Sequence, residues 1–93
     1  MKKRNRSELL SKAADMFDLP GEVVAGLSRL TITGYNRIHI ENHRGLLEYG
    51  TEEIDINGGN VIIKIHGKSL ELTAMSDCEL VASGELSSIE FLL

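Results

Sequence analysis

Three kinds of side chain in this 93-residue sequence have chemistry to offer: a polar triplet, three histidines and one cysteine. The triplet is Glu41-Asn42-His43. A carboxylate beside an imidazole is raw material for general acid–base catalysis, provided geometry brings both to one proton. The triplet falls in a connection between strands, where functional residues often lie. The plainer reading is a loop in which Asn42 bonds the backbone and His43 is exposed. No motif places a nucleophile to complete a triad, and no glycine-rich elbow surrounds a serine. His39, His43 and His66 are the candidate metal ligands. His39 and His43 stand four apart, a spacing that converges on a metal only in a helix, whereas this segment alternates like a strand running into a loop. A second strong ligand pair is missing, so no metal is expected. Cys78 has neither a cation nor a helix start beside it in sequence to lower its pKa, and reads as an incidental thiol. The glycines form neither a GxxxxGK[ST] nor a GxGxxG pattern, so no nucleotide or other cofactor is expected. On these residues the chain is not expected to be an enzyme. A hydrolase-like site at Glu41 and His43 is kept as the competing reading.

Composition narrows the partners. Net charge is −4, unevenly placed: Lys2, Lys3, Arg4 and Arg6 crowd the start, while the rest holds six basic and fourteen acidic residues. An acidic body repels nucleic acid. The basic tip can touch an anionic membrane or an acidic partner, though a solvated, frayed terminus is the simpler account. Two Tyr, two Phe and no Trp give little with which to stack bases or sugars. One cysteine forms no internal disulfide. No apolar run approaches the roughly 20 residues a membrane span needs, and no apolar stretch follows the basic start as in a signal peptide. The expectation is a cytoplasmic protein whose membrane contact is only peripheral.

The elements that must position these residues change period near position 29. Before it, Ser7 is placed to cap a helix whose apolar face is Leu9, Leu10, Ala13, Met16 and Phe17. Asp18-Leu19-Pro20-Gly21 stops that helix, because proline breaks the hydrogen-bond ladder. Residues 22–27 read as a helical turn or a short strand. Residues 1–27 are therefore a basic tip, helix and connector, and residues 28–93 a β-repeat domain. Beyond 29, apolar residues recur two apart: Leu30/Ile32, Ile38/Ile40, Leu47/Tyr49, Ile54/Ile56, Ile63/Ile65, Leu70/Leu72, Leu80/Ala82 and Ile89/Phe91. Such alternation turns one face of each strand to the core.

The turns suggest how these eight short strands pair. A two-residue loop at Gly67-Lys68 would set Ile65 against Leu70, Ile63 against Leu72 and Lys64 against Glu71, three matches in one register. Gly34-Tyr35-Asn36 would pair Ile32 with Ile38 and Leu30 with Ile40. Glu85-Leu86 would pair Ala82 with Ile89 and Leu80 with Phe91. Asn57-Gly58-Gly59-Asn60 suits a turn needing positive φ. Gly34, Gly50, Gly67 and Gly84 recur at intervals of 16, 17 and 17 residues, so each unit is strand, glycine turn, strand and connection. The fold expected is mainly β: an N-terminal amphipathic helix, then an eight-stranded antiparallel meander of four hairpins, curled into a small roll or sandwich. A short β-solenoid with stacked glycines is the alternative, and the register at Gly67 favours the meander. A meander leaves edges that recruit other strands, so self-association through β edges is a further expectation. The candidate contact surface comprises Glu41, Asn42 and His43 together with Phe91, Leu92 and Leu93.

The run from Leu30 to Tyr49, LTITGYNRIHIENHRGLLEY, resembles the central signature of the YabP/YqfC family of sporulation proteins. Ile63-Lys64-Ile65-His66-Gly67-Lys68-Ser69-Leu70-Glu71-Leu72 and the glycine-centred unit from Leu80 to Phe91 extend the likeness, and Leu19-Pro20 fits ahead of it. The resemblance spans roughly residues 18–91. Its most specific part is Glu41-Asn42-His43, and the size and basic start look closer to the YqfC branch. It implies endospore formation in the mother cell, at or near the forespore membrane, with no catalytic activity and no cofactor. It also implies a partner, a YqfD-type membrane-anchored sporulation protein. No residue role is carried over. The competing function is a peripheral membrane adaptor using the basic N-terminus.

Overall fold

The computed structural model describes residues 26–93. The basic tip, the expected helix over 7–17 and its stop at Pro20 lie outside the described residues. Six strands follow: β1 Arg29–Thr33, β2 Arg37–Glu41, β3 Leu46–Tyr49, β4 Glu53–Asn57, β5 Ile62–Met75 and β6 Glu79–Leu92. They form one antiparallel sheet in the order β1-β2-β6-β5-β4-β3. The mainly β, antiparallel expectation holds, but the meander is corrected: β2 lies beside β6 rather than β3, so the strand order is not sequential. Every pairing is antiparallel, which removes the solenoid.

The eight-strand count is corrected to six, because two of the expected hairpins are bends. β5 runs straight through Gly67-Lys68, and β6 through Gly84-Glu85, so each carries two of the short apolar pairs on one strand of 14 residues. Ile63 and Ile65 face Phe91 and Ile89, while Leu72 faces Ala82. Leu70 is not opposite Ile65, and Leu80 is not opposite Phe91. Lys64 lies opposite Asp55 on β4 and Glu90 on β6 rather than Glu71. The register read at Gly67 is locally self-consistent, but the long-range pairing of β5 with β4 and β6 gives the same apolar residues other partners. The first hairpin is as expected: Leu30 opposes Ile40 and Ile32 opposes Ile38. The tight turn before β5 also has its positive φ, at Gly59.

Irregularities concentrate where the two long strands bend. The β5–β6 register shifts between His66 and Gly67, Lys68 and Glu71, and Leu72 and Ala74. An extra residue in one strand of a ladder bends it and sharpens its twist. Ser69 has φ 53 and Gly84 has φ 142. The strands touch so closely here that a Cβ on Gly67 would collide with the carbonyl oxygen of Glu85, and one on Gly84 would lie 2.7 Å from the carbonyl oxygen of Ser69. The turns carrying the other two spaced glycines dock on these bends. Gly84 N–H donates to Asn36 O and Leu86 N–H to Tyr35 O; Gly67 N–H donates to Glu52 O and Leu70 N–H to Thr51 O. The glycine repeat is therefore real, but it marks one fold line across the sheet.

That line divides the domain into two equivalent halves. One contains β1, β2, residues 79–83 of β6 and the end of β5; the other contains β3, β4, residues 62–66 of β5 and the end of β6. Ile38, Ile40, Leu80 and Ala82 from the first, Ile54, Ile56, Ile63 and Ile65 from the second, and Leu70 at the bend are buried in a single cluster. Each half alone has one apolar face, and folding the sheet along the glycines buries both faces together. β3 departs from expectation: its outward residues are Leu47 and Tyr49, while Leu46 packs on the core.

Candidate functional site

The polar triplet lies in the segment that carries the chain from one half to the other. β2 ends at Glu41 and β3 begins at Leu46, so residues 42–45 make the crossing. Its backbone is bonded on both sides. His43 N–H donates to Cys78 O at 3.1 Å, Arg44 N–H to Asn57 O at 2.7 Å, and Asn57 N–H returns to Gly45 O at 2.9 Å. The crossing thus ties the β5–β6 turn to the end of β4.

Each residue of the triplet suits its place. Asn42 has φ 63, a left-handed conformation that asparagine tolerates better than most residues. Its Nδ2 donates to Leu27 O at 2.9 Å, and its own carbonyl accepts from Ser28 Oγ at 2.9 Å. Ser28 Oγ also lies 3.4 Å from Gly58 O, so the entry to β1 is fastened to both halves. His43 is buried, and its Nδ1 accepts from Gly45 N–H at 3.0 Å. A neutral ring accepting at Nδ1 carries its proton on Nε2, and that atom is buried with no partner among the described residues. Glu41 lies on the outer face with Arg29 at 3.7 Å. Glu41 and His43 make no hydrogen bond to one another among the described residues: one faces an arginine across the strand, the other a backbone amide. Asn42 bonds the backbone as the plain loop reading expects; His43 is not exposed as that reading has it.

A second polar cluster was not visible in the sequence. His39 Nε2 and one carboxylate oxygen each from Glu41 and Glu79 lie within 4.8 Å of one another. The grouping depends on β2 lying beside β6, with Glu41 opposite Glu79. One imidazole and two carboxylates are a plausible donor set for a divalent cation. Here His39 is paired with Glu79 at 3.0 Å and Glu41 with Arg29, all partly exposed. The opposite half has a comparable cluster: His66 lies 3.1 Å from Glu90 and 3.5 Å from Glu53. Lys64 Nζ reaches Asp55 Oδ2 and Glu53 Oε2, each at 3.4 Å. Its hydrogen bonds to Asp55 and then Glu53 hold the ammonium above the ordinary lysine range, against the opposing effect of desolvation. Asp55 itself is buried, with Oδ1 unpaired among the described residues. His39, His43 and His66, the three histidines considered as ligands, are not brought together among the described residues. Cys78 is exposed in the β5–β6 turn.

The depressions beside the two bends are shallow and open. One is lined by Tyr49, Thr51 and residues 68–71, the other by residues 35–37 with Ser69, Ser83, Gly84 and Glu85. Glu41, Asn42 and His43 line neither. Phe91, Leu92 and Leu93 stand exposed. Among the described residues, no helix is long and apolar enough to cross a membrane.

Together these features define a class: a small folded-over antiparallel sheet whose most distinctive polar residues fasten a crossing between its halves. The comparison with known proteins makes the class specific. A model of the YabP family matches residues 25–92, and the chain belongs to that family. The chain is also similar to an uncharacterized protein, YqfC of Bacillus subtilis (strain 168), at 32% identity over 76 residues, covering 80% of each chain. No solved structure matches it. Family membership implies a sporulation-related role, in a family not known for enzymes.

Proposed function

We propose that this chain is a non-enzymatic sporulation protein that works by contact with another protein in the mother cell, at or near the forespore membrane. The observation that carries this reading is how the family's most specific residues are used. Asn42 Nδ2 donates to Leu27 O, His43 Nδ1 accepts from Gly45 N–H, and Glu41 faces Arg29. Residues so engaged build the domain instead of meeting a substrate, and a general base must reach the proton it takes. The working part is then the surface, where Phe91 and Leu92 are exposed beside polar strands. A membrane-anchored protein of the YqfD type is the partner we put forward. Tagged protein recovered from sporulating cells should bring down one membrane protein in near-stoichiometric amount. Recovery of the same proteins by wild type and by a Phe91→Lys, Leu92→Ser variant would count against this surface. The peripheral adaptor reading rests on Lys2, Lys3, Arg4 and Arg6, and is compatible with the first, since a basic tip adds electrostatic attraction to an anionic leaflet.

A further inference from the structure

The two long strands leave edges that are treated differently. β2 accompanies β6 only along residues 79–83, and β4 accompanies β5 only along residues 62–66. The remaining part of each strand is paired on one side alone. On β5 that edge is covered: Leu70 N–H is held by Thr51 O and Leu72 N–H by Tyr49 Oη at 3.0 Å. On β6 the cover ends at Leu86 N–H, and from Ser87 to Leu92 no described strand or turn lies against the side facing away from β5. Such an edge presents unpaired N–H and C=O groups, and proteins usually guard it with lysine, proline, a bulge or extreme shortness. β3 is four residues long and bulged, and β1 begins with Arg29. Ser87-Ser88-Ile89-Glu90-Phe91-Leu92 has no lysine and no proline.

We infer that this edge of β6 pairs antiparallel with the same edge of a second copy, joining two sheets across a twofold axis at Ile89. The apolar rows of the sheet point to that occupant. Ile54, Ile65 and Ile89 lie side by side, as do Ile56, Ile63 and Phe91, and both rows stop at the open edge. Ile89 is only partly buried there and Phe91 is 55% exposed. Centred on Ile89, self-pairing sets Ile89 against Ile89, Leu86 against Leu92, Ser87 against Phe91 and Ser88 against Glu90. The apolar row continues into the partner, and no acidic residue faces its own copy. Shifting the axis by one residue to Glu90 would bring two carboxylates together, which is destabilising. The register is therefore specified by both apolar matching and charge. The pairing uses the same Phe91–Leu92 surface as the proposed protein contact, and the mass and the disulfide of the purified chain test it without any partner present.

Two measurements on the full chain test it. In sedimentation equilibrium across a dilution series, the wild type reaches twice its monomer mass of 10.2 kDa. Phe91→Lys, which sets a charge on the open edge, weakens association by about tenfold or more while leaving the β-sheet circular dichroism intact. In a Cys78→Ser background, Ile89→Cys forms an intermolecular disulfide on mild oxidation and Glu85→Cys does not, since only residue 89 faces its own copy. A wild type that stays monomeric at every concentration overturns the inference and leaves the edge to a foreign strand. A dimer indifferent to Phe91→Lys and without the 89–89 disulfide also overturns it.

Discussion

His43 shows how a residue with catalytic chemistry can be committed to structure. Its Nδ1 is the acceptor for Gly45 N–H inside the crossing, so truncation leaves a partly buried amide unpaired and a hole where the buried ring was. His43→Ala should cost about 2 kcal/mol or more, read as a shift in the urea midpoint. His43→Asn should recover a good part of that, because the amide oxygen offers an acceptor near the Nδ1 position. Equal losses in the two variants would mean that the bond to Gly45 contributes little. Lys64 gives a prediction with a sign in pH. Its ammonium is favoured in the folded chain by Asp55 and Glu53, which raises its pKa above that of the unfolded lysine, about 10.4. The stabilisation is complete below the unfolded value and is lost as pH rises through the folded one. Urea midpoints should therefore fall across this alkaline window, and Lys64→Met should remove part of the fall. The identity of the polar triplet was legible in the sequence, as was the bond between Asn42 and the backbone. The burial of His43 was not, since it depends on Cys78 and Asn57 closing over the crossing from distant parts of the chain. The His39–Glu41–Glu79 grouping was invisible for the same reason, as it needs β2 beside β6.

Among the elements, the alternation of apolar residues located the strands well, and the first hairpin emerged with its register intact. Period-two patterning cannot tell a turn from a bend when glycine lies between two apolar pairs. Gly67 therefore read as a hairpin tip, whereas it is the point where β5 bends and touches Glu85. The three-way agreement of Ile65, Ile63 and Lys64 with Leu70, Leu72 and Glu71 was a local coincidence that long-range pairing overrode. The glycines at the fold line are there for close approach. Gly67→Ala must push the Glu85 carbonyl away, and Gly84→Ala must also adopt φ 142 with a side chain. Each should lower stability by about 2–4 kcal/mol in denaturant titrations, more than an alanine substitution at an exposed strand position such as Thr73. Near-neutral values at both positions would mean that the fold line is not a tight contact.

For the whole molecule, the two halves share one core, and among the described residues neither has a second layer of its own. Such a domain places its stability in the fold line and the crossing. Asn42 and His43 and the evenly spaced glycines fall on those two places. On the proposed reading, the surface is what meets the partner. The most direct test is a count of heat-resistant spores in the spore-former that encodes the chain, with the gene replaced by matched variants. Glu41→Gln keeps the fold and removes the carboxylate that any acid–base site at the triplet would need; it should sporulate as wild type. Phe91→Lys with Leu92→Ser, also folded, should lower the count toward that of the deletion. A folded Glu41→Gln protein that abolishes sporulation, beside a surface variant that does not, would contradict the account.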